Sequence, residues 1–193
     1  MIRIVPRHVK HLASGVPPRG PLVRPLASGL SFSDSMTASS SNRLVLSDVL
    51  ETVRNRDVLD GLTISDLDGG VRRLEGTARD AAESAFYRLD VAADGTATIS
   101  LVTADRWLSE SIESDLMHYG DPIEELVAEE LEELETTPPA SGVIVRHFRS
   151  DDLLYTFETP LPSDADADTA ATWLLAYEAA FRGLGDMTSD DED

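Results

Sequence analysis

Several sets of side chains in this sequence have the types and spacing to do chemistry. Asp164, Asp166 and Asp168 alternate in the D-x-D-x-D opening of a calcium-binding loop, where successive carboxylates converge on one hard cation. The motif then fails, because its sixth position is Thr169 rather than glycine and its twelfth is Leu175 rather than glutamate. A linker with Asp168 capping the following helix accounts for it better. Asp115, His118 and Asp121 lie three apart near a helix junction, and imidazole and carboxylate are ordinary ligands for a divalent metal. Gly120 and Pro122 break the helix between them, and three ligands at this spacing are not specific. His147 could act as a general base, but it needs an activated serine or water, and no G-x-S-x-G motif supplies one. A sheet histidine with one hydrogen bond is the plainer reading. A small metal-dependent enzyme or regulator would have to be built on Asp115 and His118, or on His147.

Two further sets are charged runs. Arg72 and Arg73, with Arg146 and Arg149, form the densest cationic stretches of the body and could track a phosphate backbone if exposed aromatics stood nearby. The carboxylates around them are the competing partners, and the net charge of the body argues against nucleic acid. Between Asp121 and Glu135 stand Glu124, Glu125, Glu129, Glu130, Glu132, Glu133 and Glu135, which helical geometry spreads around a solvent side instead of converging on one point.

The whole chain carries 36 acidic residues against 16 basic ones, a formal charge of −20, and Lys10 is the only lysine. Self-repulsion on this scale destabilises a compact state in dilute buffer, whereas at about 1 M salt the Debye length falls to about 3 Å. Excess carboxylate with almost no lysine resembles the cytoplasmic proteins of salt-accumulating archaea. That resemblance implies a halophilic cytoplasm as the compartment and carries no activity. The absence of cysteine excludes disulfides, thiol nucleophiles and cysteine-ligated metal clusters. No apolar run approaches the roughly 20 residues that span a bilayer, so no membrane role is expected.

Composition breaks at Asp34-Ser35-Met36-Thr37. Residues 1–35 hold five cations, five of the ten prolines and a single acid, Asp34, whereas everything from Met36 onward has eleven cations against 35 acids. Pro17, Pro18, Pro21 and Pro25 interrupt any helix in the leading segment. Residues 1–42 are therefore expected to be an extension outside the fold, with Met36 as the true start. A targeting peptide or a basic arm are the other readings, and the segment lacks the apolar region of a signal peptide. Residues 43–185 are expected to form one domain, and residues 186–193 an acidic disordered tail.

Within the body, a helix is expected from Ser47 or Asp48, either of which could cap it. Asp60-Gly61 and Gly69-Gly70 read as turns, so 61–70 is expected to be loop, followed by a weakly patterned strand over 71–77. Hydrophobic pattern and turn chemistry together predict a hairpin around a three-residue loop, Ala93-Asp94-Gly95. Its register would be Val91 opposite Ala97, Leu89 opposite Ile99, and Tyr87 opposite Leu101. Residues 105–119 predict a helix with Leu108, Ile112, Leu116 and Tyr119 inward and Gly120 as its stop. The next helix is expected to start with Asp121 as N-cap and Pro122 in first position. Residues 143–148 and 153–157 predict a second hairpin, in which Leu153, Tyr155 and Phe157 face Ile144 and Phe148 across a four-residue loop or Val143 and Val145 across a five-residue one. The last helix, about 168–182, has Trp173, Tyr177 and Phe181 on its apolar side.

The expected fold is α+β: an antiparallel sheet of four to five strands with helices packed on one side, in the order α-(β)-β-β-α-α-β-β-α. The order resembles the secretion-chaperone-like fold, α-β-β-β-α-β-β-α, whose members are small, often dimeric, protein-binding modules. The expected function is a non-enzymatic interaction, adaptor or chaperone-like module with a protein partner or a second copy of itself, and no cofactor is expected. Trp173, Tyr177 and Phe181 are its candidate contact residues, although core packing explains them equally well.

Overall fold

In the computed structural model, which describes residues 44–79 and 85–185, strands β3 (Ala85–Val91) and β4 (Ala97–Thr103) pair antiparallel. Val91 stands opposite Ala97, Leu89 opposite Ile99 and Tyr87 opposite Leu101, the register predicted from the three-residue loop. Gly95 closes that loop at φ 90°, a conformation that costs glycine nothing, and its N–H donates to the Ala92 carbonyl at 2.9 Å. Tyr87, Leu89, Ile99 and Leu101 are fully buried as a result.

The remaining elements are α1 (Leu46–Arg56), β1 (Leu59–Asp66), β2 (Arg72–Ala78), α2 (Arg106–Tyr119), α3 (Ile123–Glu133), β5 (Arg146–Arg149), β6 (Tyr155–Pro160) and α4 (Ala167–Arg182). They form a six-stranded antiparallel sheet in the order β1-β2-β3-β4-β6-β5, with α1, α2 and α4 packed on it. The class is the expected α+β, with the expected weak strand present as β2. The sheet exceeds four to five strands because residues 59–66 are a strand and not a loop. Asp60-Gly61 is a β-bulge there: the register shifts between Asp60 and Thr63, and Gly61 takes φ 62°. The turn lies further on, at Asp68–Gly70, where the Leu67 N–H reaches the Val71 carbonyl at 2.8 Å. The bulge leans on Gly76 of β2, where a Cβ would stand 2.8 Å from Leu62 Cδ2 and 3.0 Å from the Asp60 carbonyl.

The second hairpin adopts neither expected register. His147 pairs with Phe157 and Arg149 with Tyr155, across a three-residue loop in which Ser150 N–H meets Leu154 O at 2.8 Å. This repeats the Gly95 arrangement with Leu153, at φ 65°, in the left-handed position. Caps also differ from the simple signals. Val45 and Pro122 occupy the N-cap positions of α1 and α3 with no side-chain bond, so Ser47, Asp48 and Asp121 do not cap. Asp105 and Gly120 do bound α2. At the end of α3 the Thr136 N–H reaches Leu131 O and the Glu135 N–H reaches Glu132 O, a Schellman closure with Glu135 at φ 58°.

Helix α4 has almost no solvent side. It packs against α1, α3, β3 and β4, and its residues Trp173, Leu174, Ala176, Tyr177 and Phe181 are at most 2% exposed. A helix apolar on nearly every side belongs inside a core. The opposite sheet face carries ion pairs between residues directly across from one another: Arg73 with Asp90, Arg88 with Glu75, and Arg146 with Glu158. The described residues belong to one compact unit; the expectations for residues 1–42 and 186–193 fall outside them. No helix among them is long and apolar enough to cross a membrane.

Two substitutions separate the bulge from the Schellman closure by sign. Gly76→Ala is expected to lower unfolding free energy by about 1–3 kcal/mol, because Leu62 and the Asp60 carbonyl must shift. Glu135→Gly is expected to raise it by up to about 1 kcal/mol by removing left-handed strain at an exposed position. Denaturant titration of both variants beside the parent protein checks the pair.

Candidate functional site

The structure disperses most of the residues that sequence spacing brings forward. Asp115 accepts the Gly185 N–H at 2.6 Å and so ties α2 to the turn after α4. His118 lies exposed with its ring edge-on to Tyr119 at 5.5 Å, and Asp121 is exposed in the α2–α3 link. Among the described residues no three His, Asp or Glu side chains converge to hold a metal. In the D-x-D-x-D run it is Asp166, not Asp168, that caps α4, accepting the Thr169 N–H at 2.9 Å. Trp173, Tyr177 and Phe181 face the core, and in this fold they offer no contact surface. Arg73 makes a bidentate pair with Asp90 at 2.7 Å for both bonds; Arg72 meets Asp66 at 3.4 Å, and Arg146 meets Glu158. Arg149 lies over the Tyr155 ring, 5.5 Å from its centroid.

His147 is different. Ser109 and Glu113 stand four residues apart on one face of α2, and β5 brings His147 between them. Its Nε2 lies 3.1 Å from Ser109 Oγ, its Nδ1 lies 2.6 Å from the Glu113 carboxylate, and its ring stacks parallel on Phe157 at 3.9 Å. With the imidazole proton on Nδ1, that N–H donates to Glu113 and Nε2 accepts from the serine hydroxyl. The order hydroxyl, imidazole, carboxylate is that of a nucleophile, its base and an orienting acid. Access is what it lacks. Ser109 is 2% exposed in the seam between α2 and the sheet, and an attacking oxygen must approach a substrate carbon to about 3–3.5 Å. The three side chains therefore fasten α2 to the edge strand.

An open groove lies at the C-terminal end of α2. It encloses about 280 Å³ between the end of α2, α3 and α4, with Leu116, Leu126, Ala179, Ala180 and Leu184 as its apolar surface and Asp121, Glu129 and Glu130 as carboxylates. Tyr119, expected inward, is instead 66% exposed and lines the groove, and Met117, two residues before it, is 83% exposed. Burial, reinforced by the nearby Glu133, Glu178 and Glu129, pushes the Glu130 carboxyl above its ordinary range, and Arg182 offsets this only in part. Arg182 is itself committed to the buried Glu178, donating Nε–H at 3.0 Å and Nη2–H at 2.5 Å. Behind them the Tyr87 hydroxyl is buried with no hydrogen-bond partner. None of these features had a signal in the sequence, where Glu130 reads as one glutamate among seven.

Comparison with protein-family models, curated proteins and solved structures finds no match to this chain. The observed order, α-β-β-β-β-α-α-β-β-α, has one strand and one helix more than the secretion-chaperone-like pattern.

Two measurements check these assignments. Asp166→Ala is expected to cost about 1 kcal/mol at neutral pH. The Thr169 N–H, and after it the Thr169 hydroxyl, holds the Asp166 carboxyl below its ordinary value of 3.8. The difference between variant and parent should thus be complete above that ordinary value and vanish as pH falls through the lower folded-state value. Ser109→Ala should leave hydrolysis of a p-nitrophenyl ester at the parent's background rate and lower stability by about 1 kcal/mol. A hydrolytic rate in the parent that the variant loses would make the chain catalytic.

Proposed function

We propose that this domain is a protein-interaction module of adaptor or chaperone-like type in a halophilic cytoplasm, and that helix α2 presents its contact surface. The observation that carries the reading is the exposure of three large apolar side chains on α2. Trp107, Met117 and Tyr119 are 77%, 83% and 66% exposed, on a helix that Ser109 and Asp115 fasten to the sheet and to the turn after α4. Large apolar groups left exposed on one element are candidates for an interaction surface. The solvent sharpens the argument: at about 1 M salt, charged contacts are screened beyond about 3 Å, so apolar contact has to supply most of the recognition. The paired state of Arg72, Arg73 and Arg146 weighs against a nucleic-acid partner, and the buried hydroxyl of Ser109 weighs against an enzyme.

The test is a triple variant, Trp107→Ser, Met117→Ser and Tyr119→Ser, measured in concentrated KCl. Its thermal midpoint should match the parent's, since exposed substitutions change stability by about 0.5 kcal/mol or less each. Self-association by light scattering, or recovery of a partner from the native lysate, should be lost. A parent protein that is monomeric and recovers nothing, or a variant that associates as well as the parent, contradicts the reading.

A further inference from the structure

The groove beside α2 differs from the rest of this acidic surface in one physical respect. Most carboxylates of the body stand in solvent, where a salt-adapted protein is expected to place them. Glu130 is instead half-buried among Leu126, Ala179, Ala180 and Leu184, and it has like charges on several sides. The nearest cation, Arg182, already spends two donors on Glu178. No basic side chain lines the groove. A carboxylate held in such a place is an acceptor short of a donor.

We propose that this groove binds a basic amphipathic peptide segment of a protein partner, its apolar side chains resting on Leu116, Leu126, Ala180 and Leu184 and a cationic side chain meeting Glu129 and Glu130. The inference rests on the interaction-module reading and names the chemistry of the partner. Volume and charge both fit. About 280 Å³ lies below the roughly 300–1,000 Å³ of a small-molecule site, and suits one or two anchoring side chains of a longer ligand. Arginine suits it better than lysine, because its fork can meet two carboxylates at once and its charge is more weakly hydrated. The half-buried Glu130 carries the selectivity, because a carboxylate removed from water is screened less than one in it.

The experiment uses the full chain at about 1 M KCl and a fluorescent synthetic helix with leucines on one face and arginines on the other. Two analogues accompany it, one with its arginines replaced by glutamates and one with its leucines replaced by serines. Binding is followed by anisotropy. The parent should bind the basic peptide and neither analogue. Glu130→Gln should weaken binding about tenfold, the loss expected of one partly desolvated charge-assisted bond. Ala179→Leu, which fills the groove, should abolish it; thermal melting confirms that both variants are folded. Failure of the parent to bind, equal binding of the acidic analogue, or unchanged binding by both variants each overturns the proposal. Where a native partner is still recovered and depends on Trp107, Met117 and Tyr119 but not on Glu130 or Ala179, the module reading stands and only this inference falls.

Discussion

Helix α4 has to be buried on nearly every side, and the rest of the domain is arranged to satisfy that requirement. Ten of its sixteen residues are buried, including Trp173, Tyr177 and Phe181. A sheet face covers one side, α1 and α3 flank it, and Phe157 of β6 meets Phe181 with ring centroids 5.3 Å apart. Such a helix can still carry polar groups, provided each finds a partner. Glu178 takes Arg182, and the Tyr177 hydroxyl shares a hydrogen bond with Thr159 at 3.1 Å. With the apolar demand met inside, the carboxylates are left to the perimeter, and the cations on the far sheet face are spent pairing across strands.

Helix α2 is held differently. Its apolar anchorage rests on Leu108 and Ile112, while polar ties secure it at two points: Ser109 and Glu113 through His147 to the edge strand, and Asp115 to the Gly185 amide. A helix fastened on its inner side, with Trp107 and Met117 exposed among polar residues, is suited to present a surface. The groove at its end is lined by α2, α3 and α4, so the tethered helix meets the buried one there. That division links core packing to the proposed recognition function.

Local chemistry made some of this legible in the sequence. The β3–β4 register followed because a glycine stood where a left-handed residue was needed and the hydrophobic alternation agreed with it. The β5–β6 hairpin uses the same loop geometry, yet Leu153 fills the left-handed position, so nothing in the residue types announced it. Strand β1 was hidden for the converse reason: Asp60-Gly61 has turn chemistry but serves a bulge, opposite a glycine that makes room for it. The Asp166 cap lost to Asp168 in the sequence reading, because alternate aspartates are equivalent until the helix phase is fixed. Ser109 and Glu113 share a helix face by spacing alone, but their meeting with His147, 38 residues from Ser109, is a product of tertiary packing. Glu130 differs from its neighbouring glutamates only through what α4 places beside it.

The central claim is that α4 is the rigid element and α2 the tethered one, and native-state hydrogen exchange in concentrated KCl tests it most directly. Amides of α4 from Ala170 to Phe181 should exchange only through global unfolding, together with those at the centre of β3 and β4. Amides of α2 should exchange through a lower-energy opening that Ser109→Ala makes easier still. Exchange from α4 at a free energy below that of α2 would contradict the account.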